Sequence, residues 1–173
     1  MATEIVLPLR AIEAQLLTNL VKELVMLVDA PPAPDDPFDA LVSQLQAPRI
    51  DRSDPAIQRL FPPAYANHDD DAEYHRLTEV QLRQARDTEA HVVLGYLDGP
   101  GGQALRVAIA RDDAEAWLRT LNALRLTLAV RLEIDGENDA IRFGELPEDD
   151  PRFALYQIYE WLAYLLEVVL EQL

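Results

Sequence analysis

Leu9, Ile12, Leu16, Leu17, Leu20, Leu24, Leu27 and Val28 recur at three- and four-residue intervals with no glycine or proline between them. That spacing predicts an amphipathic helix over residues 9–29. The prolines of "DAPPAPDDP" end it, because proline lacks the N–H a helix needs and biases the residue before it towards extended backbone. A short helix is predicted from Pro37 to about Gln46, with Asp36 as N-cap and proline at the first helical position. "DPAIQRLF" repeats the same start at Asp54.

After the loop "PPAYANHDDD", residues 71–97 contain no proline and only Gly95, so a long helix is predicted there, with aspartates at its positive N-terminal end. "DGPGGQ" breaks it. "ALRVAIA" alternates apolar and other residues as a strand does, and "TEIVLPL" near the start is its plausible partner. A ribbon of two such strands is stable only when packed on helices. Asp112 or Asp113 is placed to cap the next helix, to about Ile134, which carries Trp117, Leu121, Leu124 and Leu128 on one stripe and Leu118 and Leu126 beside it. "DGENDAIRFGELPEDDP" reads as an acidic loop, and a last helix runs from about Asp150 to Leu173.

That last helix, "FALYQIYEWLAYLLEVVLEQL", is apolar over most of its circumference. At ~100° per residue, Glu160, Glu167 and Glu171 fall within about 40° of one another, forming a single polar seam. A helix of this kind either runs through the middle of a bundle or lies in an interface. Membrane insertion is disfavoured, because each central carboxylate costs about 2.5–3.5 kcal/mol in lipid. The pattern as a whole predicts one all-α domain over residues 1–173, a bundle of four longer and two shorter helices with a minor two-stranded ribbon.

Composition narrows the function. The chain has 173 residues, 49% hydrophobic and 27% charged, which fits a soluble globular protein. Cysteine is absent, so disulfides, thiolate metal sites and thiol catalysis are excluded. A net charge of −16, with Lys22 as the one lysine, disfavours direct nucleic-acid binding and anionic membranes. The first residues, "MATEIVLPLRAIEAQ", lack a basic segment and cleavage site, so a cytoplasmic protein is expected.

The stretch "DDDAEYHRLTEVQLRQAR" holds the candidate chemistry. His75 lies one helical turn from both Asp71 and Glu79, which makes a carboxylate and imidazole metal cluster the candidate for a metal-dependent enzyme. No HExxH motif accompanies it, and His91 falls about 160° away around the helix. A solvated, acidic helix start is the preferred reading. Arg76, Arg83 and Arg86 interleave with acids at helical spacing and read as a surface charge lattice. The two serines, Ser43 and Ser53, lack an elbow motif, and "GPGG" is too short to cradle phosphate. Catalytic residues and cofactors are therefore not expected. Asn122 and Arg125 flank the apolar stripe of the Trp117 helix. Burial of Arg125 there would require a carboxylate partner, so the pair reads as a structural clamp.

"LFPPAY", "AEYHRLTEVQLRQAR", "AWLRTLNALRLTLAVRLEI" and "FALYQIYEWLAYLLEVVL" together resemble the actinobacterial domain-of-unknown-function family two-thousand-and-seventeen, in the same order along nearly the whole chain. The most specific part is the pattern formed by Trp117, Leu118, Leu121, Asn122, Arg125 and Leu126. The resemblance implies a non-enzymatic transcriptional regulator of the oxidative-stress response acting with a sigma factor. Redox control in the family is linked to disulfides, which this chain cannot form. Candidate partner-binding residues are Trp117, Leu121, Asn122, Arg125, Tyr159, Trp161, Leu162 and Leu166, serving a protein partner such as a sigma factor or a second copy in a homodimer. A direct DNA-binding factor is the alternative.

Overall fold

The computed structural model describes residues 4–31, 36–39, 42, 50–98 and 106–173. Strand β1 (Glu4–Leu7) pairs antiparallel with β2 (Val107–Ala110), Ile5 opposite Ile109 and Leu7 opposite Val107. Those four side chains are buried, so the period-two alternation aims one face of the ribbon at the helices. The ribbon's outer edge is met by Gln172, whose Oε1 accepts from Val6 N at 2.9 Å while its Nε2 donates to Val6 O at 3.2 Å.

Helix α1 (Ala11–Val28) begins where the Glu13 carboxylate accepts from Arg10 N at 2.8 Å and pairs with the Arg10 guanidinium. Of the short helix predicted at 37–46, most lies outside the described residues; residues 37–39 are helical, and Asp36 Oδ1 accepts from Phe38 N at 2.7 Å. Helix α2 (Pro55–Leu60) is capped by Asp54, which accepts from Ala56 N at 2.8 Å. Helix α3 (His68–Leu97) starts three residues before the predicted position because Asn67, accepting from Asp69 N at 3.0 Å, is its cap.

Helix α4 (Ala114–Arg131) follows a single 3-10 turn, Arg111–Asp113. Asp113 stands at its N-cap position, as expected, but makes no cap hydrogen bond: its carboxylate instead accepts from the Tyr96 hydroxyl at 2.6 Å. The helix stops short of Ile134 at a left-handed Glu133, φ 56°, with Glu133 N on Val130 O at 3.1 Å and Ile134 N on Ala129 O at 2.8 Å. The acidic stretch that follows is not all loop. It holds helix α5 (Glu137–Gly144), whose Phe143 packs with Ala129, Leu132 and Ile134 in a satellite cluster. Helix α6 (Pro151–Glu171) opens on Asp150, which accepts from Arg152 N at 2.9 Å; hydrogen bonding from the Arg152 side chain holds that carboxyl down at about 2.

α4 is the central element and touches α1, α2, α3 and α6. Its stripe of Trp117, Leu121, Leu124 and Leu128 is buried as the periodicity requires. α6 does not run through the middle of the bundle. Only Leu162, Leu165 and Val169 are buried, the stripe opposite its glutamate seam, and the flanks between stripe and seam reach solvent. A bundle of this size, with α4 already in the middle, encloses one outer helix on one side only.

Candidate functional site

The histidine cluster takes its place from α3. His75 is buried, with Nε2 3.5 Å from Asp71 Oδ1. Burial pushes its imidazole below the ordinary range, the Arg52 guanidinium adds to that, and Asp71 and Glu79 pull the other way. Asp71 is committed elsewhere: it accepts from Ala64 N at 2.7 Å and Tyr65 N at 3.3 Å. Glu79 is buried, accepts from Ile50 N at 2.8 Å and lies 3.7 Å from both Arg52 and Arg83. The two carboxylates thus serve backbone donors and the Arg52 and Arg83 guanidiniums, while neither ring nitrogen of buried His75 has a hydrogen-bond partner. Among the described residues no group of three histidine or acidic side chains is placed to hold a metal ion.

The charge-lattice reading of this helix needs correcting too. Arg76 pairs with Glu73 at the surface, but Arg83 is buried, with Nε on Val28 O at 2.9 Å. Its guanidinium also donates to Asp29 O, at the left-handed end of α1. This is a clamp between two helices, built on a partner distant in sequence.

The second candidate region is the face shared by α4 and α6. Trp117, Leu121 and Leu162 have no exposed surface, so their place is inside the core rather than at a contact surface. Asn122, Arg125, Tyr159, Trp161 and Leu166 stand at or near the surface. Arg125 finds no carboxylate partner among the described residues; its guanidinium lies over the Tyr159 ring, 4.6 Å from the centroid. Two neighbouring hollows meet at Asn122 and Arg125. One, of about 360 Å³, is bounded by Arg59, Leu126, Ile134, Tyr159 and Glu160. The other, of about 530 Å³, runs along Leu118, Arg119, Ala163, Leu166, Glu167 and Leu170.

Against known sequences, the profile of the family described as domain of unknown function DUF2017 matches residues 1–173. The chain belongs to this family. Oxidative stress regulator AosR of Mycobacterium tuberculosis is 29% identical to the DUF2017 chain over 171 residues, covering 90% of this chain and 75% of the relative. The protein of the same description from Mycobacterium bovis matches with the same 29% identity over 171 residues and the same 90% and 75% coverage. A Mycobacterium leprae relative is 28% identical over 172 residues, covering 90% of this chain and 76% of its own. No solved structure matches the DUF2017 chain.

The specific motif of this DUF2017 chain divides in the fold. Trp117 and Leu121 point inward, whereas Asn122 and Arg125 open on the hollows. Arg59 escaped sequence reading. It sits on a six-residue helix and reaches the site only because α2 packs on α4. The Ile134 to Gly136 wall escaped as well, because nothing in "EIDGE" announces that the chain turns back there.

Proposed function

We propose that this protein is a non-enzymatic regulator in the oxidative-stress response, acting by contact with another protein through the α4 and α6 face. The observation that carries this reading is the unburied apolar surface of α6, where Leu155, Tyr164, Leu170 and Leu173 are exposed beside half-buried Trp161 and Leu166. Leu166 and Leu170 lie on one flank of the glutamate seam and Trp161 and Tyr164 on the other, and exposed apolar flanks of this kind suit a helix that docks against a partner. α6 is also long and apolar enough to cross a membrane, yet its Leu162, Leu165 and Val169 are committed to the core. Relatives named oxidative stress regulators supply the cellular context.

The partner implied by the family resemblance is a sigma factor. A redox signal would arrive through that partner, because these 173 residues contain no cysteine. Direct DNA reading is less well supported: every described arginine except Arg59, Arg106, Arg111 and Arg125 has a carboxylate oxygen within 3.8 Å, which cancels most of the positive charge phosphates require. The test is titration of the chain against purified sigma factors and RNA polymerase of its host. Binding lost in Leu170→Glu with the circular dichroism spectrum unchanged supports the reading. No binding to any of them, or equal binding by the variant, overturns it.

A further inference from the structure

We propose that the hollow between α2, α4 and α6 is a receptor for a carboxylate carried on a small branched apolar body. The chain has 31 acidic and 15 basic residues, and most of its described guanidiniums lie beside a carboxylate. Among the described residues only Arg59, Arg106, Arg111 and Arg125 lack one, and two of those four, Arg59 and Arg125, open on this same cavity of about 360 Å³. Cavities that hold small ligands begin at about this size.

Arg125 is prepared for an acceptor that the chain does not provide. Its Nε is buried and without a hydrogen-bond partner, so the two Nη groups are the donors the cavity can offer. The guanidinium plane is held against the Tyr159 ring at 4.6 Å, so its fork is presented in a fixed orientation. A carboxylate approaching edge-on meets two parallel N–H groups of such a fork. Asn122 and Arg59 line the same cavity and can take the remaining lone pairs.

The other walls select among anions. Leu126, Ala129 and Ile134 offer no donor and suit a hydrocarbon body of a few carbons. Asp135 and Glu160 stand at the same cavity and oppose a dianionic phosphate more strongly than a singly charged acid. The same carboxylate could come from a free organic acid or from a chain-terminal leucine. The assignment does not rest on the protein-contact reading, since Arg59, Asn122 and Arg125 line the cavity in the lone chain.

The test is titration of the isotope-labelled chain with isocaproate, followed by the NMR signals of Arg125 Nε–H and the Asn122 side-chain amide. Isocaproamide and inorganic phosphate serve as controls. Saturable shifts with isocaproate are expected, weakened about tenfold or more in Arg125→Gln and to a smaller degree in Arg59→Gln. Should Arg125→Gln fail to fold, Arg59→Gln, an exposed position, carries the test. Tighter binding of an N-acetylated leucyl-leucine than of isocaproate assigns the site to a polypeptide end, and the reverse assigns it to a free acid. Absence of saturable shifts, equal binding of the amide, tighter binding of phosphate, or unchanged affinity in Arg59→Gln overturns the proposal.

Discussion

Arg83 donates from Nε to the carbonyl oxygen of Val28 at 2.9 Å, placing a buried positive charge against the C-terminal end of α1. Helix C-termini attract cations, and the free carbonyls there need donors. Glu79, one turn before Arg83, keeps the charge balanced and holds Ile50 N at 2.8 Å. Arg83→Met leaves those carbonyls without their donor and Glu79 with only Arg52 as a nearby cation, and is expected to cost about 3–5 kcal/mol in urea unfolding. A loss under about 1 kcal/mol would show that the clamp contributes little.

Acid sensitivity should begin with His75. Its folded-state pKa lies below the ordinary value, chiefly through burial, so the unfolded chain takes up the proton first as pH falls through about 6.5. Stability is then lost on acidification from that point down to the depressed folded value. The carboxyls of Glu13, Glu73 and Asp150 are held low by their arginines, and stability from them is lost only at lower pH. His75→Phe should flatten the slope just below about pH 6.5, read from urea midpoints; a slope as steep as the parent's would assign it to another group.

Periodicity explains which parts of this fold were legible in the sequence. The Trp117 stripe and the alternation at Ile5, Leu7, Val107 and Ile109 each repeat often enough to declare a face. α5 does not: in eight residues it turns Phe143 inward and leaves Ile141 exposed, among charges that resemble any acidic loop. The burial of Arg83 was invisible for a different reason, since its acceptor Val28 lies 55 residues away. Arg59 and Arg125 share a cavity for the same kind of reason, and no local spacing announces it.

At Glu133 the backbone is left-handed, φ 56°, where a Cβ is unfavourable and glycine is not. Glu133→Gly is expected to raise stability by about 0.5–1 kcal/mol, since the side chain is exposed and its carboxylate is not needed for the helix ending. A lowered thermal midpoint would mean that the long-range attraction between Glu133 and Arg152 outweighs the backbone gain.

Tyr96 joins the ribbon to the central helix. Its hydroxyl donates to Asp113 Oδ2 at 2.6 Å and accepts from Ala110 N at 3.0 Å, while its ring meets Trp117 edge-on at 6.0 Å. Tyr96→Phe keeps the ring contact and loses both hydrogen bonds, an expected cost of about 1–3 kcal/mol. Burial and then the Asp113 hydrogen bond raise this phenol above the ordinary range, as burial does for Tyr156, so the variant should also remove one late-titrating tyrosine from an ultraviolet titration. An unchanged titration curve would contradict that placement.

Self-association through α6 has a distinct signature. Leu166 borders the larger hollow and is half-buried, so Leu166→Glu places a carboxylate at the centre of any α6 contact. A homodimer using that face is expected to sediment as a monomer after the change. A dimer mass that persists locates the contact elsewhere.

Gln172 has a consequence for how the molecule opens. Because its amide behaves as one extra rung on β1, the first strand and the final turn of α6 are tied across 166 positions of sequence. Neither end can fray alone without giving up the other's hydrogen bonds. Hydrogen exchange at Val6 and in the last turn of α6 should therefore proceed at matched rates, with the two extremities breathing as one unit.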